Sequence, residues 1–312
     1  MREAILNLEK LIIRTQLIPF HTADLDIQSQ IFLKPENLQI FGSYKIRGIV
    51  SVLKESDLHF LQSGLAAASA GNMAQAIAFS AQQLKIPCRI YVPTSAPQTK
   101  MLAIQKLGAE IIRLHYEDVW KIVRGDIELP DDRIFIHPAL NASLLKGYSI
   151  IAHEIIEDMP DADAVVIPFG VGGLSLGIGN AMHQIKPHLA IYTCEPETAS
   201  PLKTSLQLGK PICVHRIPSF VDAIGTPEVL PQVFNQLAPI VKDSLVISLN
   251  DIKQALRNLY FNNKLVCEGA AACSLAAAIQ LAKLGKYQKI VCILSGGNID
   301  IETLKESICH AL

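Results

Sequence analysis

Net charge is what this sequence most lacks: 28 basic and 29 acidic side chains over 312 residues leave a formal charge of -1. No strong single-sign field is available to hold nucleic acid or an anionic membrane, so small-molecule partners are expected instead. No apolar run reaches membrane-spanning length, and the acid Glu3 sits among the first residues, which argues against both a spanning helix and a secretory leader. C-x-x-C spacing is also missing. The seven cysteines, Cys88, Cys194, Cys213, Cys267, Cys273, Cys292 and Cys309, are odd in number and mostly lie in apolar runs. That usage suits reduced, buried thiols in a cytoplasmic protein. Internal repeats and low-complexity linkers are absent as well, which leaves ordinary globular domains.

What is present is apolar and regularly alternating. Half of the residues are hydrophobic, enough for one large domain or two modest ones. Residues 2 to 13 place Ile5, Leu8, Leu11 and Ile12 at helical intervals, and Pro19 ends any continuation. Strands are expected at 31–34, 65–68, 88–92, 111–112, 134–136, 164–167, 189–194 and 290–294. Helices are expected at 49–54, from Asn72 through Leu84, at 97–107, 117–123, 143–158, after Gly173, and at 251–262, 270–284 and 299–311. Pro201, Pro211, Pro218, Pro227, Pro231 and Pro239 break the stretch before Asp251 into loops and short pieces. Strands alternating with helices in this way imply right-handed crossovers and open parallel sheets with helices on both faces.

Lys45 lies at the centre of Phe41-Gly42-Ser43-Tyr44-Lys45-Ile46-Arg47-Gly48, where a strand hands over to a helix. An amine at a crowded, partly dry junction has its charged form disfavoured, and the neutral amine can attack a carbonyl to form a Schiff base. Taken alone, a solvated surface lysine is the plainer reading. Pro168-Phe169-Gly170-Val171-Gly172-Gly173-Leu174 sits between a buried strand and a helix, where backbone N–H groups can approach a phosphate. A ligand-free tight turn is the alternative, and Ser175 stands where a dinucleotide fingerprint would need its last glycine. Ser69-Ala70-Gly71-Asn72 and Ser295-Gly296-Gly297-Asn298 are two further turns of this kind, and simple helix capping by Ser69 or Asn72 is the competing explanation for the first. Three such turns and one candidate lysine together are harder to dismiss than any one of them.

With these motifs in order, the sequence resembles pyridoxal-phosphate enzymes of the tryptophan-synthase-β fold type, in the branch holding threonine dehydratases, serine dehydratases and serine racemases. The resemblance runs from Arg14-Thr15 through Leu33-Lys34-Pro35-Glu36-Asn37, the Lys45 and Ser69 stretches, Pro97-Gln98-Thr99-Lys100, Gly108-Ala109-Glu110, Gly170 to Leu174, Glu195-Pro196 and Glu268-Gly269-Ala270 to Ser295-Gly296-Gly297-Asn298. It implies an α/β fold of two open parallel-sheet domains with the cofactor in the cleft between them. The expected division is 1–53 and 144–312 as the large cofactor-binding domain, 54–143 as the small one, and no C-terminal regulatory domain. It further implies that Lys45 carries pyridoxal 5'-phosphate, that Tyr44 lies against its ring and that Asn72 bonds the ring hydroxyl. Gly170, Val171, Gly172, Gly173 and Leu174 would cradle the phosphate, Ser295 would face the ring nitrogen, and Ser69, Ala70, Gly71, Asn72 and Met73 would bind the substrate carboxylate.

The activity implied is α,β-elimination from L-threonine or L-serine to a 2-oxo acid and ammonia, with Lys45 as the base. Elimination from hydroxyaspartate, a diamino acid or an ectoine derivative, serine racemisation, a weakly catalytic cofactor-binding protein and a nicotinamide dehydrogenase are the alternatives. Several positions depart from the family pattern. Ala70 replaces the second serine by which racemases protonate the opposite face, Met73 replaces a histidine, Val171 interrupts a glycine run, and Lys146-Gly147-Tyr148-Ser149 stands for a G-Q-G-T stretch. Glu195 and Ala199 match two ligands of the metal-dependent relatives, but Pro201 holds the place of the third, so a divalent cation is left open. A homodimer is the family expectation.

Overall fold

A computed structural model of the chain describes residues 1–21, 27–129 and 132–309. In chain order the first half gives α1 (Arg2–Glu9), β1 (Ile18–Pro19), β2 (Gln30–Lys34), α2 (Lys45–Glu55), α3 (Leu58–Leu61), β3 (Leu65–Ala68), α4 (Asn72–Leu84), β4 (Cys88–Pro93), α5 (Gln98–Lys106), β5 (Glu110–Leu114), α6 (Tyr116–Arg124), β6 (Ile134–Phe135) and α7 (Ala142–Asp158). The second half gives β7 (Ala164–Pro168), α8 (Gly173–Ile185), β8 (Ala190–Pro196), α9 (Pro201–Leu208), α10 (Pro231–Leu237), β9 (Asp243–Ile247), α11 (Leu249–Asn263), α12 (Gly269–Lys283), β10 (Lys289–Ile293) and α13 (Ile301–Cys309). Among the described residues no helix is long and apolar enough to cross a membrane.

The chain packs into two compact units, one of Met1–Ile13, Gln39–Phe41 and Lys45–Gly147, the other of Arg14–Leu38, Gly42–Tyr44 and Tyr148–Leu312. The first unit holds a parallel sheet in the order β5-β4-β3-β6. Leu65 to Ala68 of β3 are buried throughout, as expected for an apolar run with sheet neighbours on both sides. From β3 the chain steps outward to β4 and β5 and then returns to the opposite side of β3 with β6, so its strand order reverses at β3.

In the second unit the order is β1-β2-β10-β7-β8-β9, parallel except for β1. All five residues of β7 are buried, and its β-branched Val165, Val166 and Ile167 fill the sheet centre. The strands run outward from β7 to β8 and β9 before β10 returns on the other side, which reverses the order between β7 and β10. α12, rich in alanine, is buried along nearly its whole length, and its small side chains let it lie close over β7, β8 and β10.

The strand and helix alternation read from the sequence is present, with several corrections, among them the unanticipated short helix α3. β9 went unanticipated, as did the two-residue β1. The proline-rich stretch holds two helices, α9 and α10, each with proline in its first turn, where the missing N–H costs nothing. The expected helix 299–311 begins at Ile301 and is described to Cys309; its residues 310 and 311 lie outside the described residues. Finally, β2 does not hand over directly to the lysine helix: two short 3-10 turns, Glu36–Leu38 and Ile40–Gly42, intervene before Lys45 opens α2.

Candidate active site

In open parallel sheets the crevice outside the strand C-termini, at the point where strand order reverses, is where ligands bind, because neighbouring loops there part to opposite faces. The second unit's reversal lies between β7 and β10, and the two turns flanking it are Gly170–Leu174 after β7 and Ser295–Asn298 after β10. Gly172 takes φ +105°, and a Cβ built on it would sit 2.4 Å from Val233 Cγ1. Only glycine meets both demands. Val171 is not among the non-glycine residues with positive φ, so the left-handed step falls on Gly172 and the valine side chain does not strain the turn. Among the described residues, no backbone acceptor outside the regular elements takes the N–H of Val171, Gly172, Gly173 or Leu174, and α8 has no side-chain cap. A set of unpaired donors at a helix N-terminus, with the dipole behind them, favours an oxyanion.

One contact that the sequence did not reveal holds this turn in place, and a neighbouring segment lies close against it. Thr226 Oγ1 donates to the Gly170 carbonyl at 3.2 Å, and the carbonyl of Ala223 lies 3.3 Å from where a Gly170 Cβ would be. Both residues come from the proline-rich stretch, more than fifty positions downstream, where nothing local marks them.

The Ser295 turn is pinned from three sides. Tyr44 N–H donates to Ser295 O at 3.3 Å, Glu268 N–H to Gly296 O at 3.0 Å and Gly297 N–H to Gly42 O at 2.8 Å. Ser43 bridges Gly296 antiparallel, so the segment just before Lys45 is laced to the end of β10. This turn does not open a helix, contrary to the expectation, since α13 starts only at Ile301. Ser295 is buried, and among the described residues its Oγ has no hydrogen-bond partner. A buried hydroxyl without a partner costs about 1–3 kcal/mol, which a ligand atom can return. Tyr44 is buried against Tyr148, ring centroids 4.8 Å apart at 67°. Burial, with the negative charge of Glu268 second, pushes its phenol far above the ordinary value, so Tyr44 stays neutral.

In the first unit, Lys45 is the first residue of α2 and half-buried. Ser69–Met73 sits at the C-terminus of β3, at that sheet's own reversal point. Neither Ser69 nor Asn72 caps α4: the cap position is Gly71, with no side-chain cap bond, and Ser69 Oγ accepts instead from Gly71 N–H at 3.3 Å. The capping explanation therefore fails, and the first amides of α4 point out of a turn of small residues. Met73 is buried at the start of α4. Ala70 and Asn72 are half-buried.

Glu195 ends up inside the second unit, 1% exposed, with both carboxylate oxygens engaged. Oε1 accepts from Leu202 N–H at 2.8 Å, and Oε2 accepts from Lys203 N–H at 2.8 Å and from Ser244 Oγ at 2.7 Å. Burial pushes its pKa up to about 7, opposed by those hydrogen bonds and by the Lys203 charge. Ala199 is buried on the turn before α9. Among the described residues no group of three or more histidine, cysteine or acidic side chains is placed to hold a metal ion.

The comparisons with known proteins agree with this fold. The sequence matches the pyridoxal-phosphate dependent enzyme family over residues 8–296. It is 32% identical to the L-threonine ammonia-lyase of Geobacter sulfurreducens over 306 residues, 97% of this chain and 76% of that protein. Against the L-threonine ammonia-lyase of Thermotoga maritima it is 31% identical over 314 residues, 100% of this chain and 78% of that protein. Among solved structures, the processed form of threonine deaminase isoform 2 from Solanum lycopersicum superposes with a TM-score of 0.85 at 25% identity, covering 98% of this chain and 91% of that one. Maize serine racemase gives a TM-score of 0.84 at 28% identity, covering 98% and 95%. Two parallel sheets, each with a small-residue turn at its reversal point, and a match along nearly the whole chain place this protein in the pyridoxal-phosphate dependent enzyme family.

Proposed function

We propose that this protein is an ammonia-lyase that eliminates the β-hydroxyl and amine of L-threonine or L-serine, releasing a 2-oxo acid and ammonia. The residues present fit the cofactor. The amides of Val171 to Leu174, unpaired among the described residues, suit its phosphate, and the buried Ser295 hydroxyl at the same strand reversal, without a partner among the described residues, suits its ring nitrogen. That hydroxyl is the observation that carries the reading. It is neutral, and therefore does not force protonation of the ring nitrogen as a carboxylate would, which favours elimination over transamination. When bound, pyridoxal phosphate supplies an aldehyde for covalent attachment and an electron sink for the substrate α-carbon.

The chain's own residues do the rest. Lys45 would anchor the cofactor through its amine and would take the substrate α-proton at Nζ, a contribution of about 10²–10⁴-fold for a positioned base. Tyr44 would lie against the cofactor ring, Asn72 would bond its hydroxyl, and the Ser69–Met73 turn would hold the substrate carboxylate. Ala70 has no group to deliver a proton to the opposite face, which supports a lyase over a racemase. The threonine ammonia-lyases named above support the substrate class. The five buried cysteines support a reducing compartment, and we place the protein in the cytoplasm as a homodimer.

Purified protein is expected to show a visible cofactor band that borohydride traps on Lys45, and to release ammonia from L-threonine or L-serine. Lys45→Ala is expected to lose both band and turnover. Ammonia release surviving in that variant, or a label mapped to another residue, overturns the reading.

A further inference from the structure

Lysine loses more rotamer freedom than most side chains on ordering, so an anchoring lysine is only as well placed as the backbone it hangs from. Two consecutive residues of α7 grip that backbone. Gly147 lies so close to α2 that a Cβ added there would sit 2.4 Å from the Arg47 carbonyl oxygen, 2.7 Å from Gly48 Cα and 2.8 Å from Ser51 Cβ. Tyr148, wholly buried, sets its ring at 4.8 Å and 67° against that of Tyr44, the residue immediately before Lys45. Successive residues of a helix point about 100° apart, so one short piece of α7 addresses both flanks of the lysine. Helix propensity would prefer alanine to glycine at position 147 by about 1 kcal/mol, so the close approach outweighs the local preference.

We propose that Gly147 and Tyr148 are positioning residues for Lys45: Gly147 lets α7 press on the Arg47–Gly48 backbone while Tyr148 braces Tyr44, fixing the lysine's origin from both sides. The inference rests on the reading of Lys45 given above and adds residues to which that reading assigned no role. A methyl at position 147 needs the α2 backbone to retreat about 1 Å to reach ordinary contact, and a displacement of that size costs up to about 10²-fold in a reaction that depends on alignment. Loss of the Tyr44–Tyr148 ring pair weakens what it holds by about 2- to 10-fold.

The test uses full-length apoprotein of the parent sequence, Gly147→Ala, Tyr148→Leu, Tyr148→Phe and Ile151→Ala. Ile151 lies on the same helix one turn on, fully buried, and serves as a cavity control. Three quantities are followed: the rate at which added pyridoxal phosphate develops its visible band, the acylation rate of Lys45 by acetic anhydride in the apoprotein, and the thermal midpoint. Gly147→Ala is expected to slow band development about 10-fold or more and Tyr148→Leu about 2- to 10-fold, and both to shift the Lys45 acylation rate. Tyr148→Phe returns toward the parent, and Ile151→Ala lowers the midpoint while leaving both rates unchanged. If Gly147→Ala does not fold, Tyr148→Leu decides. Tyr148→Leu with both rates of the parent, or Ile151→Ala with rates as altered as Tyr148→Leu, overturns the proposal while leaving the proposed function standing. A parent protein that forms no band on Lys45 overturns both.

Discussion

Lys34 is fully buried, and its ammonium lies 2.6 Å from the carboxylate of Glu154 on α7, whose side chain is 9% exposed. The same ammonium donates to the Thr15 carbonyl. Lys34 closes β2, pairs with Ile293 of β10, and its carbonyl accepts from Leu294 N–H at 3.0 Å, one residue before Ser295. The pair therefore sits under the strand end that leads into the Ser295 turn. Truncating Glu154 to leucine leaves a buried ammonium without its carboxylate, which costs about 3–5 kcal/mol, whereas replacing both charges with apolar groups of similar volume is often neutral or better. Glu154→Leu is thus expected to destabilise by about 3–5 kcal/mol, and Lys34→Met/Glu154→Leu to recover most of that loss. With an unfolding slope of about 2–3 kcal/mol per molar urea, the single variant moves the midpoint down by about 1–2 M. Far-UV circular dichroism in urea reads this directly, with two transitions fitted where two are seen. Should the single variant unfold within about 0.3 M of the parent, or the double variant lose the sum of the two singles, the pair is not the buried, coupled unit argued here.

Gly172→Ala is expected to weaken cofactor binding and lower stability together, by about 1–3 kcal/mol for the strained backbone and more for the 2.4 Å approach to Val233, whereas Gly71→Ala, with nothing within 4 Å of its added Cβ, leaves the thermal midpoint nearly unchanged; equal midpoints for the two variants contradict the account. His137 carries a pH dependence. Its Nδ1 accepts from Ala139 N–H at 3.0 Å and Leu140 N–H at 2.9 Å while Nε2 contacts the Val123 carbonyl at 2.7 Å, so the ring is held neutral, and burial lowers its pKa below 6.5. The unfolded chain then takes up the proton first, so this stability is fully present above about pH 6.5 and is lost as pH falls through the lowered folded value. His137→Asn, whose side-chain oxygen accepts from the same amides, is expected to flatten the acid limb of stability measured from pH 8 to 5; an unchanged slope refutes the assignment.

The sheet centres were legible because burial on both faces writes itself as an unbroken apolar run, as in Ala164-Val165-Val166-Ile167. β9 escaped because it is an edge strand with mixed exposure, Asp243-Ser244-Leu245-Val246-Ile247, in which neither an apolar run nor a clean alternation stands out. α9 and α10 are hidden in the sequence because proline reads as a breaker there, although it stands in the first turn of each. The turns of the site were legible as small residues at strand ends. Their supports were not: Thr226 beneath Gly170, Glu268 N–H on Gly296 O and Tyr148 against Tyr44 are pairings across long sequence separations.

Glu195 shows how one residue pattern admits two physical uses. In sequence it stands near Ala199 and Pro201 as an acid with ligand spacing. In the fold, Pro201 starts α9 and sets its backbone angle, and the next two amides, Leu202 and Lys203, turn onto the Glu195 carboxylate. The acid serves as the anion at that helix start, and Ser244 of β9 adds a third donor. Both oxygens are thereby engaged, so any cation drawing on Glu195 competes with three hydrogen bonds and frays the first turn of α9 as it binds. Loss of those bonds also explains the direction of a substitution. Glu195→Gln offers one acceptor and an amide that points N–H at N–H, so it unseats α9 even though burial already raises the carboxyl toward protonation.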